Sequence, residues 1–492
     1  MKILMVSAEA QPFAKTGGLA DAVTALSRAL ALKGNDVKVI LPRYYSIPRE
    51  NLFLVKKSLL VSIGWSEILT DLYASQDSVL AAQKECGGNL EYYFVDHENL
   101  FGREGIYGNN SETDFHDNPL RFSVLCRAAF AMCRAINWIP DIIHSHDWSA
   151  AMTPVILNFI ERKNFPDTKT VFTIHNLGYQ GAYPDNAYRL LGLSDSYKFD
   201  AHISRFGGLN FLQAGIYNSD FVTTVSKTYA REIKTPQGGF GLDALLRSVE
   251  DVFQGIMNGA DISEWNPAGD KYLVENYSKD DLSGKSACKS YLQKRFGLKQ
   301  DPDVPVISII SRMVEQKGIK ELFAPYYGCM YRMCRDFNAQ FIVIGQGEQW
   351  CENEVRYLSN EFENFASYIG YNEELSHIAE GGSDYFLMPS KYEPCGLNQI
   401  YSMLYGTLPI VRATGGLEDT VINYSPDLDK STGFKFYDLT PDAIYNTVKW
   451  ALSIFEDKSA VRKMQYNGMS SDFSWSRSAD EYISVYKKLL SE

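Results

Sequence analysis

Short apolar runs rich in β-branched residues alternate with longer segments of helical pattern in the first half of the chain. Strands joined by helix-length connections pair in parallel, because a parallel crossover needs a dozen or more residues and is usually a helix. The alternation therefore predicts a parallel sheet flanked by helices. The predicted strands are 3–6, 37–41, 92–95, 142–144, 171–174 and 221–225.

The same alternation starts again in the second half of the 492-residue chain, with predicted strands at 306–310, 341–344, 385–388 and 409–411. Two series of strands predict an α/β protein with two Rossmann-like domains. Glycine-rich residues 237–241 and turn signals within 258–269 lie between the two series. We therefore expect an N-terminal domain over 1–250 and a C-terminal domain over 251–470.

Residues 471–492 form a separate C-terminal segment with apolar side chains at helical spacing. Ala479, Tyr482, Ile483, Tyr486 and Leu490 follow the i, i+3, i+4 pattern of one helix face. We expect a helix that packs back on the N-terminal domain.

Charge and cysteine content exclude several classes of protein. The 60 acidic and 48 basic residues give a formal net charge of -12, which disfavours nucleic acid and anionic membranes as partners. No apolar run approaches the ~18 residues of a membrane span, and Glu9 interrupts the N-terminal run too early for a signal peptide. The eight cysteines at 86, 126, 133, 288, 329, 334, 351 and 395 form no C-x-x-C pair. We expect a cytoplasmic protein; a plastid location stays open, although no transit peptide is visible.

One short motif occurs twice, as T-G-G-L-A-D at 16–21 and T-G-G-L-E-D at 414–419. Each copy follows a predicted strand and opens a predicted helix. Paired glycines let backbone N–H groups approach an anion, and a helix N-terminus adds partial positive charge. Two copies favour two phosphate-binding turns facing a ligand between the domains, although a single copy would more often be an ordinary turn.

Three cations occupy strand-to-helix loops, where ligands of parallel sheets bind. Lys15 precedes the first glycine pair, and Arg312 and Lys317 follow the predicted strand 306–310. Together they could neutralise a diphosphate, through a bidentate guanidinium and two ammonium groups. The alternative is that they are ordinary solvated surface charges.

Two histidines end the strand 142–144 in H-S-H-D-W, and His175 follows the next strand. The H-x-H spacing puts His144 and His146 on one face of the strand, but no third ligand has a spacing typical of zinc. His144 is equally well explained as a core residue.

Glu393 lies in P-S-K-Y-E-P-C-G-L-N-Q, directly after the predicted strand 385–388. We expect its carboxylate to point into the cleft between the domains. Cys395 has no histidine partner at a recognisable spacing, so we interpret it as a wall residue and not as a nucleophile.

Taken together, the motifs resemble those of bacterial glycogen synthases and plant starch synthases, which are retaining GT-B glycosyltransferases. The resemblance spans nearly the whole chain. Its motifs are K-T-G-G-L-A-D (15–21), H-S-H-D-W (144–148), H-N-L-G-Y-Q-G (175–181), T-T-V-S-x-T-Y-A-R-E-I (223–233), G-I-M-N-G-A-D-x-x-x-W-N-P (255–267), S-R-x-x-x-Q-K-G (311–318), P-S-x-Y-E-P-C-G-L-N-Q (389–399) and T-G-G-L-x-D-T-V (414–421).

The resemblance implies transfer of glucose from ADP-glucose to the non-reducing 4-hydroxyl of an α-1,4-glucan, glycogen or a maltooligosaccharide. It implies neither cofactor nor metal. UDP-glucose as donor, another acceptor, and a catalytically silent glucan-binding homologue remain alternatives; a sucrose-type synthase or an epimerase fits the motifs less well. A glycosidase would need two carboxylates that flank the sugar bond, and only Glu393 is a convincing candidate.

Residue roles follow from the same resemblance. The implied catalytic residues are Lys15, His146, Arg312, Lys317 and Glu393, and Tyr371 corresponds to the platform for the adenine ring. Asp21 is expected beside the sugar or near the acceptor. The implied donor-binding set is Lys15, Gly17, Gly18, Asp21, Asn258, Arg312, Lys317, Tyr371, Glu393, Cys395, Gly396, Leu397, Thr414, Gly415 and Gly416.

The second glutamate that many retaining GT-B enzymes carry eight positions after Glu393 is Tyr401 here, as this branch leads us to expect. Only one carboxylate is therefore implied, so the acceptor would attack on the face that the diphosphate leaves. Gln213 stands where the family leads us to expect lysine.

Overall fold

The computed structural model describes residues 1–76, 87–109, 111–262 and 264–491. The chain forms two compact units. The first comprises Met1–Val225, Ala230–Gly259 and Trp475–Glu492, and the second comprises Ser226–Tyr229 and Ala260–Ser474. The divisions fall after Gly259 and Ser474, where we expected residues 250 and 470.

The first unit is built on a nine-stranded sheet in the order β12-β11-β7-β6-β1-β2-β5-β4-β3. Pairing is parallel from β12 to β5, and β4 and β3 add an antiparallel edge. A three-stranded antiparallel sheet, β8-β10-β9, lies in the same unit. The strands are β1 Lys2–Val6, β2 Asp36–Pro42, β3 Phe53–Ile63, β4 Ser66–Gln76, β5 Asn89–Asp96, β6 Ile142–His146, β7 Lys169–Ile174, β8 Ala182–Pro184, β9 Ser204–Arg205, β10 Gly208–Asn210, β11 Phe221–Thr224 and β12 Phe253–Gly255.

Helices alternate with the strands of this unit. They are Gly18–Leu32, Glu98–Phe101, Asn118–Ala135, Asp147–Ala150, Met152–Ile156, Tyr197–Asp200, Phe211–Asn218, Asp243–Ser248 and Trp475–Ser491, with Lys227–Glu232 beginning in the segment grouped with the second unit.

The second unit contains a six-stranded, all-parallel sheet in the order β15-β14-β13-β16-β17-β18. The strands are β13 Val306–Ile310, β14 Gln340–Gly345, β15 Phe365–Ile369, β16 Tyr385–Met388, β17 Leu408–Arg412 and β18 Phe434–Phe436. The helices are Ser283–Arg295, Ile319–Phe323, Met330–Asp336, Gln349–Glu361, Glu373–Gly382, Asn398–Leu404, Gly415–Thr420, Pro441–Ile454 and Lys458–Met469.

The core of the second unit shows why these runs form buried parallel strands. Ile307 packs on one face of the sheet in a cluster with Phe341 and Ile444. The neighbouring residue in sequence, Val306, packs on the other face with Ile342. Because successive side chains of a strand point to opposite faces, a sheet covered by helices on both sides needs continuous apolar runs.

All ten predicted strands are confirmed. The final helix, Trp475–Ser491, contacts the first helix, Gly18–Leu32, within the first unit. Its buried stripe differs slightly from the predicted one, because Leu489 is buried whereas Leu490 is exposed. Among the described residues, no helix is long and apolar enough to cross a membrane.

Candidate active site

Both parallel sheets reverse their strand order beside the first strand of the unit. In the first unit β1 lies between β6 and β2, and in the second β13 lies between β16 and β14. At such a switch point the loops leave in opposite directions and open a crevice at the carboxyl edge. Four predicted site residues follow the strands concerned: Lys15 after β1, His146 at the end of β6, Lys317 after β13 and Glu393 after β16.

The loop after β1 is held by a buried carboxylate. Glu9 accepts hydrogen bonds from the backbone N–H of Thr16 at 2.5 Å, from its hydroxyl at 2.8 Å and from the Tyr107 hydroxyl at 2.8 Å. Burial raises the pKa of Glu9, and these hydrogen bonds oppose the rise. Sequence reasoning missed this role, although a lone acidic residue just after an apolar strand was a visible signal.

This loop carries Lys15 and the first glycine pair. Lys15 Nζ lies 2.8 Å from the Asp21 carboxylate, and both side chains are partly exposed. Gly17 directly precedes the helix Gly18–Leu32, with its backbone extended at φ -166°. A Cβ at Gly17 would have no other heavy atom within 4 Å. Packing within the chain therefore does not explain the glycine, and the space beside it at the helix N-terminus is open.

His144 is a structural residue. Its Nδ1 lies 2.7 Å from the Tyr486 hydroxyl and its Nε2 lies 2.6 Å from Thr173 Oγ1, so both ring nitrogens are engaged. Complete burial lowers its pKa to about 3, which keeps the ring neutral. Of the two interpretations of His144, the structure supports the core residue.

His146 presents a different arrangement two residues later. Its Nδ1 lies 3.0 Å from His175 Nε2, and burial lowers the pKa of both rings, that of His175 to about 3. His146 Nε2 is buried, and no described residue hydrogen-bonds to it. A neutral imidazole with one open nitrogen can hydrogen-bond to a sugar hydroxyl, but it does not bring positive charge to a phosphate.

Asp147 joins the loops after β6 and β7. Its Oδ1 accepts hydrogen bonds from the backbone N–H of His175 at 2.7 Å and of Asn176 at 3.4 Å. Burial raises the pKa of this carboxyl to about 7. Asp147 also has a positive φ of 57°, an uncommon conformation that aspartate tolerates better than most residues. The motif H-S-H-D-W therefore supplies the orientation of His175 as well as His146.

Gln213, at the position where we expected lysine, makes its side-chain hydrogen bonds to other residues of the protein. Its Oε1 accepts a hydrogen bond from Arg205 at 2.6 Å, and its Nε2 donates to the carbonyls of His202 and Ser204 at 2.7 and 3.1 Å. Asn258, which follows β12 in the same unit, is also buried. Gln213 thus holds Arg205 and the strand β9 in place.

In the second unit an ion pair joins the loops after β13 and β16. Lys317 Nζ lies 2.5 Å from Glu393 Oε2, with side-chain exposures of 17% and 7%. Ser390 donates a hydrogen bond to the same oxygen at 2.9 Å. Arg312 is exposed, and no described residue makes a hydrogen bond or ion pair with its guanidinium group. The unit thus offers one positioned carboxylate and two cations at its switch point.

The second glycine pair packs directly against the Glu393 loop. The N–H of Gly416 donates to the Glu393 carbonyl at 3.0 Å. A Cβ at Gly415 would lie 1.9 Å from the same oxygen, and one at Gly416 would lie 1.9 Å from the Cys395 carbonyl oxygen. The resemblance implies that backbone groups of Gly415 and Gly416 help to bind the diphosphate, and this role stays a prediction. Within the protein, the Gly416 N–H is already hydrogen-bonded to Glu393, and the lack of a Cβ at both glycines permits close backbone contact.

The remaining predicted residues of the second unit lie in three segments, each directly before a helix. Cys395, Gly396 and Leu397 form the turn from Glu393 into the helix Asn398–Leu404, and Gly396 has the positive φ of 73° that favours glycine. Thr414 is buried before the helix Gly415–Thr420. Tyr371 lies just before the helix Glu373–Gly382, with 72% of its surface exposed.

Among the described residues, neither histidine of H-S-H-D-W belongs to a group of three potential metal ligands. One such group does occur in the described part of the second unit, formed by Glu264, Glu373 and His377.

Comparisons with known proteins agree on one family. Residues 2–248 match the family model of the starch synthase catalytic domain, and residues 291–469 match that of glycosyl transferases group 1. A glycogen synthase from Treponema denticola is 50% identical over 99% of this chain and 98% of its own. One from an Anaeromyxobacter species is 43% identical over 99% of both chains.

Two solved structures are also similar. The catalytic domain of starch synthase IV from Arabidopsis thaliana, bound to ADP and acarbose, has a TM-score of 0.88 and 30% identity over 100% of this chain and 99% of its own. A sucrose-phosphate synthase from Thermosynechococcus elongatus has a TM-score of 0.59 and 17% identity over 99% of both chains. At that identity the second likeness concerns the fold alone.

Proposed function

Since the chain belongs to the starch and glycogen synthase family of GT-B glycosyltransferases, we propose that it transfers glucose from ADP-glucose to the non-reducing 4-hydroxyl of an α-1,4-glucan, with retention of configuration. The position of one ion pair supports this proposal most directly. The ion pair of Lys317 and Glu393 lies where the loops after β13 and β16 leave the sheet, the place where α/β sheets bind their ligands.

We propose that the cations on these loops bind the diphosphate of the donor. Arg312 offers a planar guanidinium that can bind two phosphate oxygens, and Lys317 offers a point charge. Lys15 performs the same task in the first unit, beside the glycine that leaves room for a ligand. These positive charges stabilise the negative charge that develops as the nucleoside diphosphate leaves, without a requirement for metal.

Glu393 is proposed to stabilise the transferred sugar and not to attack it. Ser390 and Lys317 both hold its Oε2, so the carboxylate is fixed in place. A double displacement would need a second carboxylate as its partner. The equivalent position is Tyr401, whose ring stacks on Trp265 with a centroid distance of 3.9 Å and an interplanar angle of 5°.

The proposed reaction therefore proceeds on one face of the sugar. The bond from glucose C1 to the diphosphate oxygen breaks as the bond from C1 to the acceptor O4 forms. The proton of the acceptor hydroxyl passes to the departing phosphate oxygen. Neutral His146, with its open Nε2, hydrogen-bonds to a hydroxyl of the transferred glucose.

The charge of the chain fits these partners. A net charge of -12 suits an uncharged polysaccharide better than nucleic acid or an anionic membrane. We also propose a cytoplasmic location, because the seven described cysteines form no disulfide. Cys86 lies outside the described residues.

The test is release of nucleoside diphosphate from ADP-glucose and from UDP-glucose, with and without glycogen, in the presence of a chelator. We expect glycogen-dependent release of ADP that Glu393→Gln abolishes. Dominant release of UDP would show that the proposed donor, ADP-glucose, is wrong, and would leave the proposed type of reaction unchanged. Absence of release from both donors by folded protein would overturn the proposed activity and favour a silent glucan-binding protein.

A further inference from the structure

A buried histidine in the second unit is not used by the proposed reaction. His377 lies in the helix Glu373–Gly382, and its side chain is 1% exposed. Its Nδ1 lies 2.7 Å from Asp270 Oδ2, which also accepts a hydrogen bond from the Tyr405 hydroxyl at 2.5 Å. Because Asp270 engages Nδ1, the nitrogen left for another ligand is Nε2.

That Nε2 atom is buried, and no described residue hydrogen-bonds to it. The ring is also held in orientation by stacking, since Trp265 lies parallel to it at a centroid distance of 3.8 Å and an angle of 12°. Trp265 also stacks on Tyr401, with a centroid distance of 3.9 Å. A fixed, buried imidazole nitrogen without a partner is costly unless a ligand uses it.

Two carboxylates converge on this histidine. One ring nitrogen of His377 and one carboxylate oxygen each from Glu264 and Glu373 lie within 4.8 Å of one another. Glu373 precedes His377 by four residues, which puts both on one face of the helix. Glu264 directly precedes the stacked Trp265. Both glutamates also contribute to raising the pKa of Lys271, after its larger interaction with Tyr272, so their charges act on the same small region.

We propose that Glu264, Glu373 and His377 form a binding site for a divalent transition-metal ion, of which Zn²⁺ is the best match. One imidazole nitrogen and two carboxylate oxygens form a ligand set that suits zinc, with water in the fourth position. Mg²⁺ and Ca²⁺ prefer all-oxygen sites. The glutamate side chains are exposed and can change rotamer, so the ligand atoms can close to the spacing of a metal site.

The hydrogen bond from His377 to Asp270 is what a metal-binding histidine needs. A carboxylate on the far nitrogen fixes the tautomer and the ring orientation, and raises the basicity of the ligating nitrogen. In this protein the Asp270 carboxylate is buried, and the oxygen that contacts His377 also accepts a hydrogen bond from the Tyr405 hydroxyl. Asp270 is thus a positioning residue for the metal ligand.

The site would be structural. None of its ligands is among the residues proposed to bind the donor, and bound metal would link the segment around Glu264 to the helix that begins just after Tyr371. A metal that binds only the folded chain raises its melting temperature. We therefore expect Zn²⁺ to stabilise the protein whether or not substrate is present.

The experiment is calorimetric titration of the full-length, chelator-treated protein with ZnCl₂, with melting temperatures measured alongside. We expect one equivalent to bind. Glu373→Gln and Glu264→Gln each keep the shape of an exposed side chain and should weaken binding at least about tenfold, because each removes an anionic ligand. Glu374→Gln is the matched control, since Glu374 is exposed on the same helix turn and is outside the three-residue group.

Loss of binding in both ligand variants with wild-type binding in Glu374→Gln supports the site. Equal binding in all four proteins places the metal elsewhere and overturns the proposal, as does absence of Zn²⁺ binding to the wild type. Equal affinity for Mg²⁺ overturns the assigned metal class. Co²⁺ substitution separates this oxygen and nitrogen site from a cysteine site, because cysteine ligation would produce a thiolate charge-transfer band.

Discussion

The Lys317 ammonium lies 2.5 Å from the Glu393 carboxylate, on loops that leave adjacent parallel strands. The two residues are 76 positions apart in the chain. Their pairing means that the cation proposed to bind the diphosphate and the carboxylate proposed to stabilise the sugar are positioned by one another. Any change to one of them therefore has a consequence for the other.

Replacing Glu393 by glutamine should lower turnover at least about 100-fold, because it removes the charge that we propose stabilises the transferred sugar. The amide keeps an acceptor for Ser390, so we expect the protein to remain folded. Lys317→Ala should also lower turnover strongly, because it removes a cation proposed to bind the diphosphate. Lys320→Ala is its matched control, because Lys320 is an exposed lysine three residues later. Turnover by folded Glu393→Gln within a factor of two of wild type would remove Glu393 from the active site.

Gly17→Ala should leave the melting temperature unchanged and lower kcat/KM for the donor. A methyl group at Gly17 meets no atom of the protein, so any loss reports on a ligand that approaches the backbone. Gly416→Ala should instead destabilise the second unit, because its Cβ would meet the Cys395 carbonyl. Gly269→Ala, which also meets no atom within 4 Å, is the control. Unchanged kinetics of Gly17→Ala would contradict the phosphate-binding role.

Tyr371→Ala should raise KM for ADP-glucose about tenfold or more, because stacking of a base on an aromatic ring contributes about 1–3 kcal/mol. The side chain is largely exposed, so the melting temperature should not change. Tyr437→Ala provides the comparison, since Tyr437 is a similarly exposed tyrosine of the same unit. Equal KM values for the two variants would show that Tyr371 is not the adenine platform.

Asp147 should make stability depend on pH in a specific direction. Burial raises the pKa of its carboxyl from 3.8 to about 7, so the folded protein keeps a proton that the unfolded chain has lost. The free energy of unfolding should therefore fall as pH rises from about 4 to about 7, by at most about 4 kcal/mol. Asp147→Asn removes this contribution and keeps the acceptor for the His175 N–H.

The measurement is the melting temperature of both proteins at closely spaced pH values. The difference, wild type minus Asp147→Asn, should decline across that interval and become flat above it. Other titrating groups, including the buried histidines, contribute to both proteins and cancel in the difference. Parallel profiles for the two proteins would contradict the raised pKa.

Local pattern was sufficient to predict ten of the thirteen parallel strands of the described residues. It missed Phe253–Gly255, Phe365–Ile369 and Phe434–Phe436. Tyr385–Met388 is a continuous apolar run, and Val306–Ile310 is interrupted only by the buried Ser308, because helices cover both faces of their sheet. The antiparallel strands Phe53–Ile63 and Ser66–Gln76 were missed. The first of these is an edge strand whose initial six residues are exposed, so it carries lysines and no clear alternation.

The sequence by itself determined the residue types of the candidate site, because charged side chains and glycine pairs after apolar strands are visible in one dimension. Tertiary structure alone decided what those residues contact. Glu9 was only an interruption in an apolar run until its carboxylate was seen to hold Thr16 and Tyr107. Gly416 resembled Gly17 until its N–H was found on the Glu393 carbonyl. Hydrogen bonds and steric room depend on atoms brought together from distant segments, which no local pattern specifies.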